Sequence, residues 1–458
     1  SRSFLIKNSV LLWEGAPGKQ FSTATPSLTT RLASRENTSE CLPCAPKQKT
    51  FLLPIKGEAN LMQRMKIAMV VVDGNDVSGE HRAKCAYPSP SLHPAIQFVL
   101  EGLAKQSEVE IGVFFGALAQ PDNLQQCTPN LRFFPIPYKP APIPGMGAAL
   151  LGRFLALRKA VREWTPDVVH GQGTEREAGL VAAFSGFPSV LTLHGNFREI
   201  EKIFHARPLN YYWVAARLET LVLRRIQHVI CISKYGKSLL DPFSCQKSVI
   251  PNPVGCKFLD APRPDRIKPP RVVCMGTIDA RKNTQFILRA CERLWNKGLH
   301  FTFHVYGNAG YGSHYADAFF AMLAPHEAAG RAKFEGFITN PAEALSLADV
   351  MVSASVEESF GMNLLEAMAT GTPCVAPDLG GMRDIVVDDC TGFTYAPGNL
   401  DDLTSKLSKL LTSHTTWQSM STVSRARARE VFPPTHIACD TIGVYRSTIQ
   451  KSQHKFRP

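Results

Sequence analysis

The chain has 458 residues, of which 44% are hydrophobic, so it can bury the cores of two domains. Its 51 Lys and Arg residues outnumber its 39 Asp and Glu residues, and the formal net charge of +12 favours an anionic partner such as a nucleotide or an anionic membrane surface. Recognisable nucleic-acid-binding motifs are absent from the sequence, so we expect no nucleic acid partner. No apolar run approaches the roughly eighteen residues that a membrane-spanning helix needs.

Two features bear on the location of the protein. Residues 1–63 are rich in Ser, Thr, Pro and basic residues and show no period; we expect a disordered tail, with a transit-like peptide or upstream sequence as alternatives. The 12 cysteines are scattered, which favours free thiols in a reducing compartment over a disulfide framework. We therefore expect a cytoplasmic protein, and leave targeting to an organelle open.

From residue 64 onward, short apolar strands alternate with amphipathic helices. The pattern starts with a strand at 66–72, a loop that contains Gly79 and a helix at 95–105, and it continues to residue 262. After a linker rich in Pro and charge it restarts and runs over 263–432. This alternation predicts an α/β fold with two doubly wound parallel sheets and a ligand in the cleft between them. A final helix is predicted at 435–447, within residues 433–458.

One predicted helix carries the clearest sign of a binding site. Its apolar face is formed by Leu364, Leu365 and Met368, and Gly371 followed by Pro373 ends it. The first turn, at 361–363, therefore directs free N–H groups to the mouth of a sheet, where they form an anion site.

Two carboxylates frame this turn, Glu358 before the helix and Glu366 inside it. A carboxylate accepts hydrogen bonds only, so the pair suits a hydroxyl-rich ligand attached to a phosphate, such as a nucleotide sugar. The alternative is a solvated helix with an ordinary acidic cap.

The spacing of Glu358 and Glu366, with the glycine pair Gly380-Gly381 further on, resembles the E-x7-E signature and its flanks in retaining glycosyltransferase family 4, also called glycosyl transferases group 1. The resemblance runs from about residue 66 to 445. It implies the GT-B architecture of two Rossmann-like domains with an interdomain cleft: an acceptor domain at 64–262, a donor domain at 263–432 and a last helix that crosses back to the first domain. It also implies a hexosyltransferase that uses a UDP- or GDP-linked sugar with retention, and a saccharide, lipid-linked or small-molecule acceptor.

The resemblance assigns roles to individual residues. It implies catalytic roles for His194 near the transferred sugar, for Glu358, and for Lys282 on the diphosphate. Thr277 stands where many members have an arginine, and Arg281 is the expected substitute. The remaining expected donor-binding residues are Gly79, Ser359, Phe360, Gly361, Met362, Asn363 and Glu366, with the ribose assigned to Glu366. We expect no metal site and no cofactor besides the nucleotide sugar.

A strand end at 167–172 also matches the family, but only in part. His170 fits the pattern, whereas Gln172 replaces a second histidine, so we assign His170 a structural role.

A basic stretch from Arg132 to Arg162 contains no acid. Apolar residues at helical spacing from Leu150 to Trp164 fit either peripheral contact with an anionic membrane or a helix packed on the first sheet.

Two other functions remain as alternatives to a transferase. One is a nucleotide-sugar epimerase of the same architecture, and the other is a non-catalytic nucleotide-sugar-binding homologue, which the unusual Thr277 would fit.

Overall fold

The computed structural model describes residues 64–72, 92–117, 126–139, 146–203, 205–266, 268–309 and 314–455. The predicted extension at 1–63 and the loop that contains Gly79 lie outside the described residues.

In the described residues, the N-terminal sheet has eight strands in the order β3-β4-β2-β1-β5-β6-β7-β8. All neighbours are parallel except β3 and β4. The strands are β1 (Met65–Val70), β2 (Val109–Ala117), β3 (Gln126–Thr128), β4 (Leu131–Pro137), β5 (Val168–Gln172), β6 (Ser189–Leu193), β7 (His228–Cys231) and β8 (Gln246–Val249). The helices are α1 (Pro94–Leu103), α2 (Met146–Trp164), α3 (Glu177–Phe184), α4 (Phe197–Ile203), α5 (Tyr211–Leu223), α6 (Lys234–Ser238) and α7 (Cys256–Leu259).

The C-terminal sheet has six strands in the described residues, in the order β11-β10-β9-β12-β13-β14, and every pair is parallel. The strands are β9 (Arg271–Met275), β10 (Thr302–Tyr306), β11 (Ala332–Gly336), β12 (Val350–Val352), β13 (Cys374–Pro377) and β14 (Gly392–Tyr395). The helices are α8 (Thr284–Asn296), α9 (His314–Ala328), α10 (Pro341–Ser346), α11 (Met362–Ala369), α12 (Met382–Ile385), α13 (Leu400–Thr412), α14 (His414–Val431) and α15 (Pro434–Lys455).

The predicted fold class of two doubly wound parallel sheets is confirmed. The central strands are continuous apolar runs because helices cover both faces of each sheet; all residues of β12 and β13 are buried. In each sheet the strand order reverses next to the first strand of the sheet, between β1 and β5 and between β9 and β12. Ligand sites of doubly wound folds lie at such reversals, at the carboxyl ends of the strands.

The last helix, α15, packs on the N-terminal sheet. Ile437, Ile442 and Tyr445 are buried in the same core cluster as β1. A Cβ on Gly102 of α1 would lie 1.9 Å from the Pro434 carbonyl oxygen, so the two helices approach closely where a glycine allows it. The helix extends beyond the predicted end at 447 because its face continues inward: Thr448 is buried.

The basic stretch packs on the first sheet through α2. Leu157 and Val161 are fully buried, Arg153 forms an ion pair with Glu177 (Nε to Oε1, 3.1 Å), and Arg158 donates to a backbone carbonyl. These contacts are those of the packed-helix alternative, and membrane contact stays a prediction. Within the part of the chain that the structure describes, no helix combines the length and apolar character needed to cross a membrane.

Candidate active site

A cavity opens at the reversal point of the C-terminal sheet. It lies at the carboxyl ends of β9 and β12 and is lined by Cys274, Met275, Gly276, Thr277, Lys282, Thr284, Ile287, Val352, Ser353, Ala354, Ser355 and Asn363. The backbone here requires glycine: Gly276 and Gly307 have φ of +142° and +146°, and a Cβ on Gly307 would lie 1.9 Å from the Gly276 carbonyl oxygen. The close approach of these two loops shapes one wall of the cavity.

The loop after β9 positions Lys282. Its backbone N–H donates to the Asp279 carboxylate (2.7 Å), which closes the turn before α8. The side chain then extends over Gly276, where a Cβ would lie only 3.4 Å from the Lys282 Cε. The ammonium group is therefore fixed beside the cavity.

Three predicted site residues meet at this point. Lys282 Nζ donates to Glu358 Oε2 at 2.6 Å, and Arg281 Nη1 lies 3.6 Å from the same oxygen. The Glu358 side chain is 17% exposed, so this contact is mostly shielded from water and is stronger than a surface ion pair. Lys282 lines the cavity, Arg281 lies beside the same carboxylate, and Thr277 is exposed and contributes no charge.

The glycine pair Gly380-Gly381 supports the loop that carries Glu358. The N–H of Gly381 donates to the Glu358 carbonyl (3.0 Å). Added Cβ atoms would lie 2.3 Å from that carbonyl oxygen at Gly380 and 2.0 Å from the Ser359 carbonyl oxygen at Gly381. The pair is thus required for the two backbones to touch.

The N-terminus of α11 leaves free donors at the cavity. Gly361 is its N-cap residue with φ +103°, a conformation that glycine adopts without strain. Within the described residues, the backbone N–H groups of Phe360, Gly361 and Met362 have no hydrogen-bond acceptor. Unsatisfied N–H groups at a helix N-terminus attract anions. Their expected contact with the donor remains a prediction.

Three residues of this predicted set also make contacts within the fold. Phe360 is 2% exposed and its ring lies 6.5 Å from that of Phe432. The Asn363 amide donates to the Met275 carbonyl (2.7 Å) and ties α11 to β9. The Ser359 carbonyl accepts from the Ser233 hydroxyl of the N-terminal domain (2.9 Å). Only backbone groups of Phe360 therefore remain for a ligand.

Glu366 lies one turn into α11 and is partly buried. Burial raises its pKa to about 7, and the charge of Lys257 opposes this only in part. Among the described residues, burial and the charge of Lys257 act on its carboxylate, and no hydrogen-bond donor does. Two acceptor oxygens are thus left available, as the predicted ribose contact requires.

On the N-terminal side, His194 follows β6 and faces Gln172 at the end of β5. The distance from His194 Nε2 to Gln172 Oε1 is 2.8 Å. Burial, together with the smaller effects of the neighbouring His93 and His170, lowers the pKa of His194 to about 3. The ring is therefore neutral at physiological pH.

His170 is buried and its ring contacts three side chains: Tyr445 of α15 (2.6 Å), Thr192 of β6 (2.8 Å) and the amide of Gln172 (3.4 Å). Its ring makes contacts within the fold, as predicted for a structural histidine.

The two halves of the site face each other through a residue that the sequence analysis did not single out. His93 precedes α1, and its ring centroid lies 6.2 Å from that of His194. His93 keeps an exposed surface, but desolvation by the surrounding protein lowers its pKa, and the opposing charge of Glu358 in the C-terminal domain raises it to a smaller extent. The only signal in the sequence is a histidine before a proline that starts a helix. For Gln172, the only signal in the sequence is that it replaces the second histidine of the family pattern. Gly79, the remaining predicted residue, lies outside the described residues.

The sequence comparisons agree with this geometry. The model of "Glycosyltransferase Family 4" matches residues 98–258, and that of "Glycosyl transferases group 1" matches residues 269–413. The MMP alpha-(1->4)-mannosyltransferase of Mycolicibacterium hassiacum is 28% identical over 302 residues, which are 62% of this chain and 71% of that protein. The glycogen synthase of Mycobacterium tuberculosis is 27% identical over 319 residues, or 66% of this chain and 74% of that protein.

Solved structures share the fold. A sucrose-phosphate synthase from Thermosynechococcus elongatus superposes with a TM-score of 0.68 at 19% identity, covering 85% of this chain and 100% of that one. Anabaena HepE in complex with UDP and glucose gives a TM-score of 0.62 at 17% identity, covering 84% and 100%. Two parallel-sheet domains that share a cleft in this way define the GT-B class of glycosyltransferase.

The two sequence models together span about two thirds of the chain, one in each domain. The chain belongs to glycosyltransferase family 4, and it is an enzyme of the hexosyltransferase class.

Proposed function

We propose that this enzyme moves a hexosyl unit from a UDP- or GDP-linked sugar to a hydroxyl of a saccharide, lipid-linked or small-molecule acceptor, with retention of configuration. The observation that carries the proposal is the contact of Lys282 with Glu358 beside the free N–H groups of α11. This contact supports the proposal because it brings a cation and a carboxylate together near helix N–H groups that could bind an anion.

The geometry suggests how these groups divide the work. Lys282, Arg281 and the α11 amides would stabilise the negative charge that develops on the leaving diphosphate. When Lys282 binds the phosphate, its contact with Glu358 would break. The Glu358 carboxylate would then be free to accept hydrogen bonds from the hydroxyls of the transferred sugar. Glu366 would accept hydrogen bonds from both hydroxyls of the ribose. His194 would contact the sugar from the N-terminal domain.

In the transfer step, the bond between the anomeric carbon and the diphosphate oxygen breaks while the acceptor oxygen bonds to that carbon on the same face. The acceptor proton passes to the leaving phosphate oxygen, so the diphosphate serves as the base. We expect the reaction to need no metal, because protein cations and helix amides supply the positive charge. An unchanged rate in the presence of EDTA would agree, and restoration of a lost rate by Mg²⁺ would contradict this expectation.

A panel of nucleotide sugars tests the proposal. The UDP and glucose bound in the HepE structure make UDP-glucose the first donor to try, followed by other UDP- and GDP-sugars. Release of nucleoside diphosphate that depends on an acceptor, with a product that keeps the anomeric configuration by NMR, is the expected result. Lys282→Met should abolish most of the release, and Lys297→Met, an exposed lysine in the turn after α8, is the matched control.

Each alternative gives a different outcome in the same panel. An epimerase would convert the nucleotide sugar without an acceptor, and a non-catalytic homologue would bind it without turnover. An inverted product would contradict retention and leave the transferase class intact.

A further inference from the structure

A buried contact between Gln172 and His194 joins the carboxyl ends of β5 and β6. Register explains it: β5 pairs with β6 so that Gln172 is opposite Thr192, and His194 follows two residues later on the same face. Gln172 is 3% exposed. Its carbonyl oxygen lies 2.8 Å from His194 Nε2.

The other end of the Gln172 amide is held as well. Its NH2 group lies 3.7 Å from the Met69 sulfur and 3.4 Å from His170 Nε2. A thioether sulfur can only accept, so the donor end of the amide belongs beside Met69. The carbonyl end must then point at His194, and a carbonyl can only accept. His194 therefore carries its proton on Nε2.

This leaves Nδ1 of His194 with a lone pair. The atom is buried and has no hydrogen-bond partner within the described residues. A buried acceptor without a donor costs free energy, and such atoms in native structures usually have a functional reason. A hydroxyl in the cleft would satisfy it.

We propose that Gln172 is a positioning residue that locks His194 in the Nε2–H form, so that Nδ1 accepts a hydrogen bond from a sugar hydroxyl. The inference rests on the proposed function for the identity of that hydroxyl. A histidine at position 172, as in the family pattern, can donate or accept through either ring nitrogen and would leave the His194 proton less defined. The glutamine amide, held at its donor end, specifies one form.

Two ionisable groups act on the pKa of His194: His93, from the segment before α1, and His170 of β5. Glu358 acts indirectly, through its charge on His93. Burial keeps the pKa of His194 at about 3, so the neutral Nε2–H form should persist from pH 5.5 to 8.5, a range of about three units around neutrality.

Nitrogen NMR of the histidine-labelled full chain tests the tautomer without any turnover. The His194 signals, assigned by their loss in His194→Ala, should show a proton on Nε2 and a bare Nδ1. In Gln172→Leu the signals should report a mixture of both forms. Tyr445→Phe is the matched control: it removes one hydrogen bond from the same buried cluster, that to His170, and should leave His194 unchanged. A proton on Nδ1 in the wild type, or no change in Gln172→Leu, would overturn the proposal.

Binding data separate this role from a general loss of structure. Gln172→Leu should bind the nucleotide sugar about tenfold more weakly, the effect of one hydrogen bond, and bind the free nucleoside diphosphate as the wild type does. Equal weakening of both ligands would indicate a structural role and refute the proposal. If no nucleotide sugar binds the wild type, the proposed function fails, while the NMR result still decides whether Gln172 fixes the His194 proton.

Discussion

We predict that the affinity of this enzyme for a nucleotide sugar rises with pH through neutrality, and that Glu366 is the cause. Burial raises the pKa of its carboxyl to about 7, well above the usual value of 4.5. Only the ionised carboxylate offers two oxygens that both act as acceptors alone, so that it can accept a hydrogen bond from each of the two ribose hydroxyls. Ligand binding should therefore favour the ionised form of Glu366. At low pH the carboxyl must lose its proton when the ligand binds, and this cost weakens the observed affinity.

The magnitude follows from the pKa. With a pKa of about 7 the ionised fraction is about one tenth at pH 6 and about nine tenths at pH 8, so the dissociation constant should fall about tenfold over this interval. In the free protein the sign is opposite: a raised carboxyl pKa means that this group's contribution to stability is lost as the pH rises from about 4.5 to about 7. Ligand affinity and the stability of the free enzyme should move in opposite directions across this window.

Calorimetric titration with a nucleotide sugar provides the assay. Both phosphates of such a ligand are esterified, so the ligand itself does not titrate here, whereas a free diphosphate would. Buffers of different ionisation enthalpy should reveal proton release near pH 6.5. Glu366→Gln should bind more weakly and show no pH slope between pH 6 and 8. A flat wild-type profile, or the same slope in Glu366→Gln, would refute the assignment; His93, with a pKa below its usual value, titrates at lower pH.

Three further predictions concern residues in or beside the segment that carries Glu358 and Glu366. Glu358→Gln should lower kcat more than it raises the dissociation constant of the donor, whereas Glu366→Gln should do the reverse, and steady-state kinetics with direct binding separate the two; similar effects of both would contradict the division of roles. Gly381→Ala should destabilise the protein by about 1–3 kcal/mol and weaken donor binding, because its Cβ would lie 2.0 Å from the Ser359 carbonyl oxygen; Gly443→Ala, where a Cβ meets nothing within 4 Å, is the control, and equal unfolding midpoints in urea would contradict the clash. Phe432→Ala should cost about 3–5 kcal/mol in urea unfolding, since the ring is 1% exposed beside Phe360, and a loss below about 1 kcal/mol would show that the contact is dispensable.

Many strands and helix ends could be predicted from short stretches of the sequence. Apolar runs gave strands because buried parallel strands need no polar face. The end of α11 was predicted from Gly371, and its φ of +81° and the hydrogen bond from the Thr372 N–H to the Ala367 carbonyl (2.8 Å) confirm the reason. The end of α15 was misplaced because Thr448 is polar, yet it is buried with its hydroxyl bonded to the Val444 carbonyl.

The site was only partly predictable, because its contacts join residues distant in the chain. Lys282 and Glu358 were each named from their motifs, but their direct contact spans 76 positions and depends on the reversal of strand order between β9 and β12. Gln172 and His194 meet only once the register of β5 and β6 is known. His93 stands just before α1, where no periodic pattern marks it. In each case the residue type was visible and its partner was not.

Two hydrogen bonds from the N-terminal domain reach the E-x7-E segment and the helix after the glycine pair. The Ser233 hydroxyl donates to the Ser359 carbonyl (2.9 Å), and the Lys234 N–H donates to the Asp384 carboxylate (2.6 Å). Both hydrogen-bond acceptors lie in segments beside the candidate site: Ser359 follows Glu358, and Asp384 belongs to α12, which follows the glycine pair. The N-terminal domain therefore supports the loop geometry of the E-x7-E segment as well as facing it. Since this loop sets the position of Glu358 against Lys282, we expect substitutions at Ser233 to change the geometry of the candidate site from the N-terminal domain.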